Sequence, residues 1–352
     1  VSDDASRATR GGDVEPQNGP AQQALRAEPR RALVTGLTGQ DGSFIAELLI
    51  EKGYAVTGLI RGDPGRPLGC SEHLRGQVEL VEGDLLDPAS LRRAVERVRP
   101  DELYHLAGPT FVPASWEYPE ETFRTIVGSV IAVLEAARES DGRLRVFVAS
   151  SGSIFGEAGE SPQREQTPCR PVTPYAIAKL AAHQLLGAMR ARHGLHASSG
   201  IMFNHESERR PEQFVTRRVT RAAAAIALGL KDELTLGSLE ARRDWSFAGD
   251  VMRGAWMMLQ REAGDDYVLA SGVTHTVAEL ADTAFACVDL DVERYLRVDP
   301  SLLRAPEGTL SVGDATKARG QLGWEPKMSF AELIERMVRA DVRALEGVAA
   351  SP

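Results

Sequence analysis

Cysteine is nearly missing from this chain. Three residues in 352, Cys70, Cys169 and Cys287, stand far apart. That spacing excludes a disulfide framework and a thiolate metal site, so no metal is expected and a reducing compartment is. Long apolar runs are missing too: none reaches the roughly 20 residues of a membrane-spanning helix. The first residues hold no signal-peptide core, so a cytoplasmic location without a membrane partner is expected. Nor is there an excess of basic charge. Forty-one Lys and Arg against 50 Asp and Glu leave a net charge of −9, and the basic residues are dispersed. This argues against a nucleic-acid partner. No internal repeat is found. At 43% hydrophobic, the chain is long enough for one large domain, or one large and one small.

Residues 1–29 are rich in Gly, Pro, Gln, Arg and Ala and nearly free of large apolar side chains, the composition of a disordered tail. An apolar strand, 31–35, follows and runs into the glycine-spaced turn Gly36-Leu37-Thr38-Gly39-Gln40-Asp41-Gly42. The helical pattern of Phe44, Ile45, Leu48 and Leu49 comes next. Strand, glycine turn and helix in that order place a helix N-terminus where a pyrophosphate sits, so the turn reads as a dinucleotide site. The second strand, 55–60, ends at Arg61 where an acidic residue would hold a ribose 2′-hydroxyl. Arg accommodates a 2′-phosphate, which favours NADP, while Asp63 nearby keeps NAD as the alternative. A third strand, 77–81, leads to Gly83-Asp84-Leu85, where Asp84 can reach an adenine amino group. A helix at 91–98 precedes a fourth strand, 102–106, which ends in the small residues Ala107 and Gly108, leaving room for the cofactor. A helix from about 119 to 139 and a strand at 145–149 continue the alternation. The fold class is therefore α/β, a doubly wound parallel sheet of the Rossmann type.

The catalytic reading rests on Ser150-Ser151-Gly152-Ser153 at a strand end, followed by a helix from 173 to 192 that carries Tyr175 and Lys179. Four residues apart, the Tyr and Lys share one helix face and can meet one reactive atom with a Ser from the strand end. A phenol that works as a base near neutrality must drop by roughly three pH units, about 4 kcal/mol, and a nearby Lys ammonium can supply that much. Beyond Lys179 a strand at 196–203, a helix at 214–228, short strands at 234–236 and 267–270, and helices at 276–287 and 329–345 are expected. This gives a dinucleotide-binding part over 30–195, a smaller substrate part over 196–345 with interleaved elements, and a tail over 346–352.

Taken together, TGLTGQDGS, Tyr-x-x-x-Lys, FNHESERR, FVTRR, RRDW and GDATKARGQLGWEP resemble the extended short-chain dehydrogenase/reductases that modify nucleotide sugars, and among them the GDP-mannose 4,6-dehydratase family. The resemblance covers about residues 31–345. It implies cofactor contacts from Gly36, Thr38, Gly39, Gln40, Asp41, Arg61, Asp84, Leu85, Ala107, Gly108, Lys179, His205 and Arg210. It implies nucleotide-sugar contacts from Asn204, Arg218, Arg243 and Arg304, Arg being suited to bidentate phosphate binding. A GDP-sugar substrate and a homo-oligomer are implied as well. The apolar residues between Val127 and Ala137 serve either a subunit interface or the sheet core, the core being favoured.

One position departs from the family. Its strand-end motif is Ser-Thr-Ser-Glu, the Glu removing the C5 proton before water is lost; here the aligned residues are Ser150, Ser151, Gly152 and Ser153. The hydroxyl role survives at Ser151, and Ser153 replaces the base. This stretch looks more like the Ser-Ala-Thr-Val-Tyr-Gly of UDP-galactose 4-epimerases. Four outcomes stay open: C4 epimerisation, which is preferred; 4,6-dehydration with another carboxylate such as Glu157; reduction of a keto sugar; and a non-catalytic NADP-binding role.

Overall fold

The computed structural model describes residues 28–140, 142–302 and 309–349, with side chains through 347. The tail expected over 1–29 therefore falls outside the described residues except for its last two, and so does Arg304.

The chain runs β1 (Arg31–Thr35), α1 (Gln40–Glu51), β2 (Ala55–Ile60), β3 (Glu79–Glu82), α2 (Pro88–Val98), β4 (Glu102–His105), α3 (Ala114–Glu117), α4 (Pro119–Phe123), α5 (Ser129–Glu139), β5 (Arg145–Ala149) and α6 (Pro174–His193). It continues with β6 (Ala197–Met202), β7 (Asn204–Glu206), α7 (Val215–Ala227), β8 (Leu234–Leu236), β9 (Arg242–Phe247), α8 (Ala248–Leu259), β10 (Asp266–Leu269), β11 (Thr274–Thr276), α9 (Val277–Ala286), α10 (Val292–Tyr295), β12 (Leu296–Val298), α11 (Thr316–Leu322) and α12 (Phe330–Ala349).

Seven strands form one parallel sheet in the order β10-β6-β5-β4-β1-β2-β3. Its central strands are buried on both faces, which is why they read as continuous apolar runs. One face is covered by α1 and α8, the other by α2, α5 and α6, each through its own apolar cluster. Two small sheets, β11-β9-β7 and β12-β8, stand beside the large one, with a separate core built from α7, α9 and α12.

Local chemistry explains the element ends. Thr173 caps α6 by accepting from Ala176 N (3.1 Å), Pro174 takes the first turn, and Gly194 closes the helix in the left-handed region. The helix read as continuous over 119–139 is interrupted by a π turn, Arg124–Gly128, where the Ser129 hydroxyl donates to Thr125 O (2.5 Å). Most apolar residues of α5 are buried in the core, while Ile131 faces out.

The boundaries differ in places. β3 starts at Glu79 rather than 77, and α12 runs to Ala349, so the expected tail at 346 is still helix. Helix α8 escaped the pattern because AGDVMRGAWMML is apolar around most of its circumference; wedged beside α1, it has no polar face to mark a period. The short strands β7, β9 and β11 carry polar sequences and lie outside any alternation.

Candidate active site

The glycine turn is shaped by backbone crowding. Gly36 has φ +79°, and a Cβ there would lie 2.8 Å from Ala107 N. A Cβ on Gly42 would come within 2.1 Å of Gly36 O, so the turn and α1 close only over glycine. Gly39 is the N-cap of α1, and no side chain caps that helix, which leaves its first N–H groups to face an anion. A cavity of about 390 Å³ opens above the strand ends. Its wall includes Gly36, Thr38, Arg61, Asp84, Leu85, Ala107, Gly108 and Tyr175, so the structure brings most of the expected cofactor contacts to one place. Arg61 is exposed at its rim, while Asp84 receives Leu86 N on its carboxylate (2.9 Å). Turn, helix end, rim Arg and small strand-end residues fit a dinucleotide.

Gln40 and Asp41 turn away from the cavity toward the segment after β6. Gln40 donates to His205 O (3.2 Å) and accepts from the Ser207 hydroxyl (2.7 Å). Asp41 accepts from His205 Nε2 (2.9 Å), whose Nδ1 donates to Phe203 O (2.7 Å). Both partners of this imidazole are acceptors, which calls for the doubly protonated ring. Burial alone would lower the His205 pKa, but the charge and hydrogen bond of Asp41 outweigh it and hold the pKa above its ordinary value. Burial alone would likewise raise Asp41, but His205 brings it down to about 2.

At the end of β5, Ser151 caps a short 3₁₀ turn, Gly152–Ile154, by accepting from Ser153 N (3.2 Å). Ser153 is exposed, and Tyr175 is buried. Lys179 donates to Ala149 O (2.7 Å) and lies 5.8 Å from the centre of the Tyr175 ring. Burial pushes the Tyr175 phenol up, against the opposing pull of Ser151 and Arg210. Burial instead brings Lys179 itself down to about 8, against the opposing pull of Asp41.

Asn204 lies on β7 opposite Trp245 of β9, two residues from Arg243. Arg243 donates to Arg242 O (2.7 Å), and Arg218 is exposed on α7. None of these three is on the wall of the 390 Å³ cavity. Arg210 stacks on Phe214, 3.6 Å from its ring centre, and pairs with Glu206 at 3.2 Å.

Several groups escaped the sequence reading. Thr35 Oγ1 accepts from Leu106 N (3.1 Å) and Ala107 N (3.2 Å), so its own hydrogen goes to His105 Nδ1 (3.0 Å). His105 Nε2–H then donates to Ser129 Oγ (2.9 Å) at the π turn. Burial, with the Lys179 charge behind it, brings His105 down to about 3, so the ring is neutral. Asp244 is buried and accepts from Ser271 N, Ser271 Oγ, Gly272 N and Gly313 N, tying β9 to two loops. Phe111, Tyr118, Glu121 and Thr125 also line the cavity. RRDW was visible as a motif, but nothing in its spacing assigned its Asp a role.

Residues 33–337 match the family described as GDP-mannose 4,6 dehydratase. GDP-mannose 4,6 dehydratase 1 of Arabidopsis thaliana is 42% identical over 328 residues, covering 90% of this chain and 91% of the plant protein. The UDP-glucose 4-epimerase of Thermotoga maritima, solved with UDP-glucose, superposes with a TM-score of 0.79 at 25% identity, over 90% of this chain and 99% of that one. The Thermus thermophilus UDP-glucose 4-epimerase, solved with NAD, gives 0.75 at 28% identity, over 88% and 98%.

Proposed function

On the premise that this chain belongs to the GDP-mannose 4,6-dehydratase family, and so is an NAD(P)-dependent nucleotide-sugar enzyme, we propose that it oxidises C4 of a GDP-hexose with NADP and restores C4 without losing water. The product is then the C4 epimer. The observation that carries this reading is Ser153, an exposed serine on the 3₁₀ turn where the family has its Glu. A serine hydroxyl without a partner base cannot remove a C5 proton. The carboxylates among the described residues of the cavity wall are Asp84, which is occupied by Leu86 N, and Glu121 on α4.

In this reading Tyr175 takes the O4 proton, and Ser151, within its reach, holds the same oxygen. Bound NADP supplies the hydride acceptor and donor. Gly36, Thr38, Gly39, Ala107 and Gly108 would form its bed, with Arg61 at the 2′-phosphate and Asp84 and Leu85 at the adenine. Lys179, His205 and Arg210 would flank it from the far side, and Asn204, Arg218, Arg243 and Arg304 would receive the GDP-sugar. Arg61 favours NADP because its exposed guanidinium sits at the rim of the cavity; Asp63, which accepts from Gly65 N (2.8 Å), is already engaged.

Dehydration is the second reading, favoured by 42% identity to a protein named as a dehydratase. It needs a substitute base, for which Glu157, exposed four residues after Ser153, is the candidate. Product analysis by NMR with GDP-mannose and NADP in deuterated water separates the two. Epimerisation predicts a C4-inverted hexose with C5 unlabelled. Deuterium at C5 with loss of water overturns it in favour of dehydration.

The family resemblance also supports a cytoplasmic homo-oligomer. Exposed Ile131 on α5 and Ile177 on α6 are consistent with association, and no helix among the described residues is long and apolar enough to cross a membrane. Light scattering tests the assembly, a monomer mass at micromolar concentration overturning it.

A further inference from the structure

We infer that Arg209 is a positioning residue: its guanidinium latches the turn after β7 onto α1 and so sets Asn204 and His205 of β7 in register with the glycine turn. The contacts run along one side of the helix. Arg209 Nη1 donates to Ser43 Oγ (2.8 Å), Nη2 donates to Glu47 Oε1 (2.6 Å), and the guanidinium carbon lies 4.0 Å from the centre of the Phe44 ring. Ser43 and Glu47 are four apart and therefore share a helix face. Arg209 is 19% and Glu47 27% exposed, so solvent screens the pair only in part. The main chain of Arg209 leads back to His205: Arg209 N donates to Ser207 Oγ (3.0 Å), the Ser207 hydroxyl to Gln40 Oε1 (2.7 Å), and Gln40 Nε2 to His205 O (3.2 Å). Ser43 Oγ donates in turn to Gln40 O (2.6 Å).

Three consecutive charged side chains leave this turn for three different places. Glu208 accepts from Arg336 of α12 (2.7 and 2.8 Å), Arg210 rests on Phe214, and Arg209 crosses to the dinucleotide part. Gln40 and Asp41 already hold β7 and its turn at the start of α1, but one point of attachment leaves a pivot. Glu47 lies six residues beyond Asp41, about 9 Å along the helix axis, and a second attachment at that distance fixes the orientation. The latch also takes in the segment that follows Arg61. Glu47 Oε1 accepts from His73 Nε2, and Cys70 Sγ donates to Arg209 O (3.6 Å). Orientation matters here because a misplacement of about 1 Å can cost about a hundredfold in rate.

The inference rests on the reading of Asn204 and His205 as ligand contacts in C4 oxidation. Two measurements on Arg209→Met test it. In hydrogen exchange read by mass spectrometry, with the enzyme saturated with NADP, the amides of 204–210 should lose protection while those of β1 and β4 keep theirs. In stopped-flow oxidation of GDP-mannose, the rate at saturation should fall about ten- to a hundredfold while KM changes by less than about twofold. Arg209→Lys, which keeps the charge beside Glu47, should recover most of the rate. Glu47→Gln should reproduce part of the loss, and the double variant should be no slower than Arg209→Met alone. A purely structural Arg209 would lower the melting temperature and leave the rate at saturation unchanged. That result overturns the inference, as do a loss confined to KM, unchanged exchange over 204–210, or additive losses in the double variant. If Arg209→Met does not fold, the split between rate and KM in Glu47→Gln decides alone. Should wild type oxidise no GDP-hexose, it is the functional reading that fails, and the exchange measurement decides the latch by itself.

Discussion

The cavity wall that includes Tyr175 and the far wall formed by the segments after β6 are built in opposite ways. The proposed cofactor wall consists of strand ends and the turns that directly follow them: Gly36 and Thr38 after β1, Arg61 after β2, Asp84 after β3, and Ala107 and Gly108 after β4. Backbone shape does most of the work there, and each part lies within a few residues of the strand that places it. The far wall is assembled from distant parts. His205 of β7 meets Asp41 of α1, Arg210 rests on Phe214, and Asp244 of β9 gathers the loops at 271 and 313. Buried Asp341 of α12 holds Arg217 and Thr220 of α7 from over 100 residues away. A wall made of turns binds by its main chain; a wall made of long-range polar contacts depends on each buried charge keeping its partners.

The largest expected effect falls on the seam between the walls. Tyr175→Phe should reduce C4 oxidation by about 10² to 10⁴-fold with NADP binding intact, measured by stopped-flow absorbance of reduced cofactor and by equilibrium titration. A variant that kept its rate would show that the seam holds no base. Next comes the cofactor wall. Arg61→Ala should cost about 1.5 to 3 kcal/mol of NADP affinity, roughly ten- to a hundredfold, and leave NAD affinity unchanged. Equal NADP affinities for variant and wild type would remove Arg61 from the site.

The joint between the walls is sensitive to acid. Asp41 is held at about 2 against an ordinary 3.8, so its contribution is complete above 3.8 and is lost as pH falls through about 2. The difference corresponds to about 2 kcal/mol. Chemical denaturation of wild type between these pH values should show that loss, and Asp41→Asn should flatten it; an Asn variant with the same slope would place the acid sensitivity elsewhere.

A smaller effect isolates the far wall. Asp244→Asn exchanges an acceptor-only group for one that must present an amide to a cluster of donors, and should weaken GDP-sugar binding by about tenfold while NADP binding stays as it was. Calorimetry with each ligand reads the two walls separately, and an equal loss for both would mean that they are not independent. The smallest effect belongs to Ser153→Glu, which should add a trace of C5 exchange and 4-keto-6-deoxy product only if the new carboxylate comes within about 3 Å of the C5 proton. Wild type exchanging C5 as fast as the variant would deny Ser153 any part in choosing the outcome.

The same contrast explains what could be read early. Strands β1, β2 and β5 matched their apolar runs residue for residue, since a parallel strand buried on both faces is apolar at every position. The glycine turn, Arg61, Asp84 and Ala107 were legible because each is placed by its own strand. Helix α8 was not, being apolar nearly all round, and the polar strands β7 and β9 gave no alternation to follow. His105, Asp244 and Glu206 are ordinary polar letters until the fold buries them.

The order of residues alone settles the parallel α/β sheet, the glycine turn after its first strand, and the spacing of Ser151, Ser153, Tyr175 and Lys179, because these depend on spacing along one chain and on residue type. Only the tertiary structure decided the charge around Tyr175. It took Lys179 to the Ala149 carbonyl, buried the phenol, and paired Arg210 with Glu206. A pKa is set by solvent exclusion and by charges arriving from elsewhere in the chain, and neither is a property of local sequence.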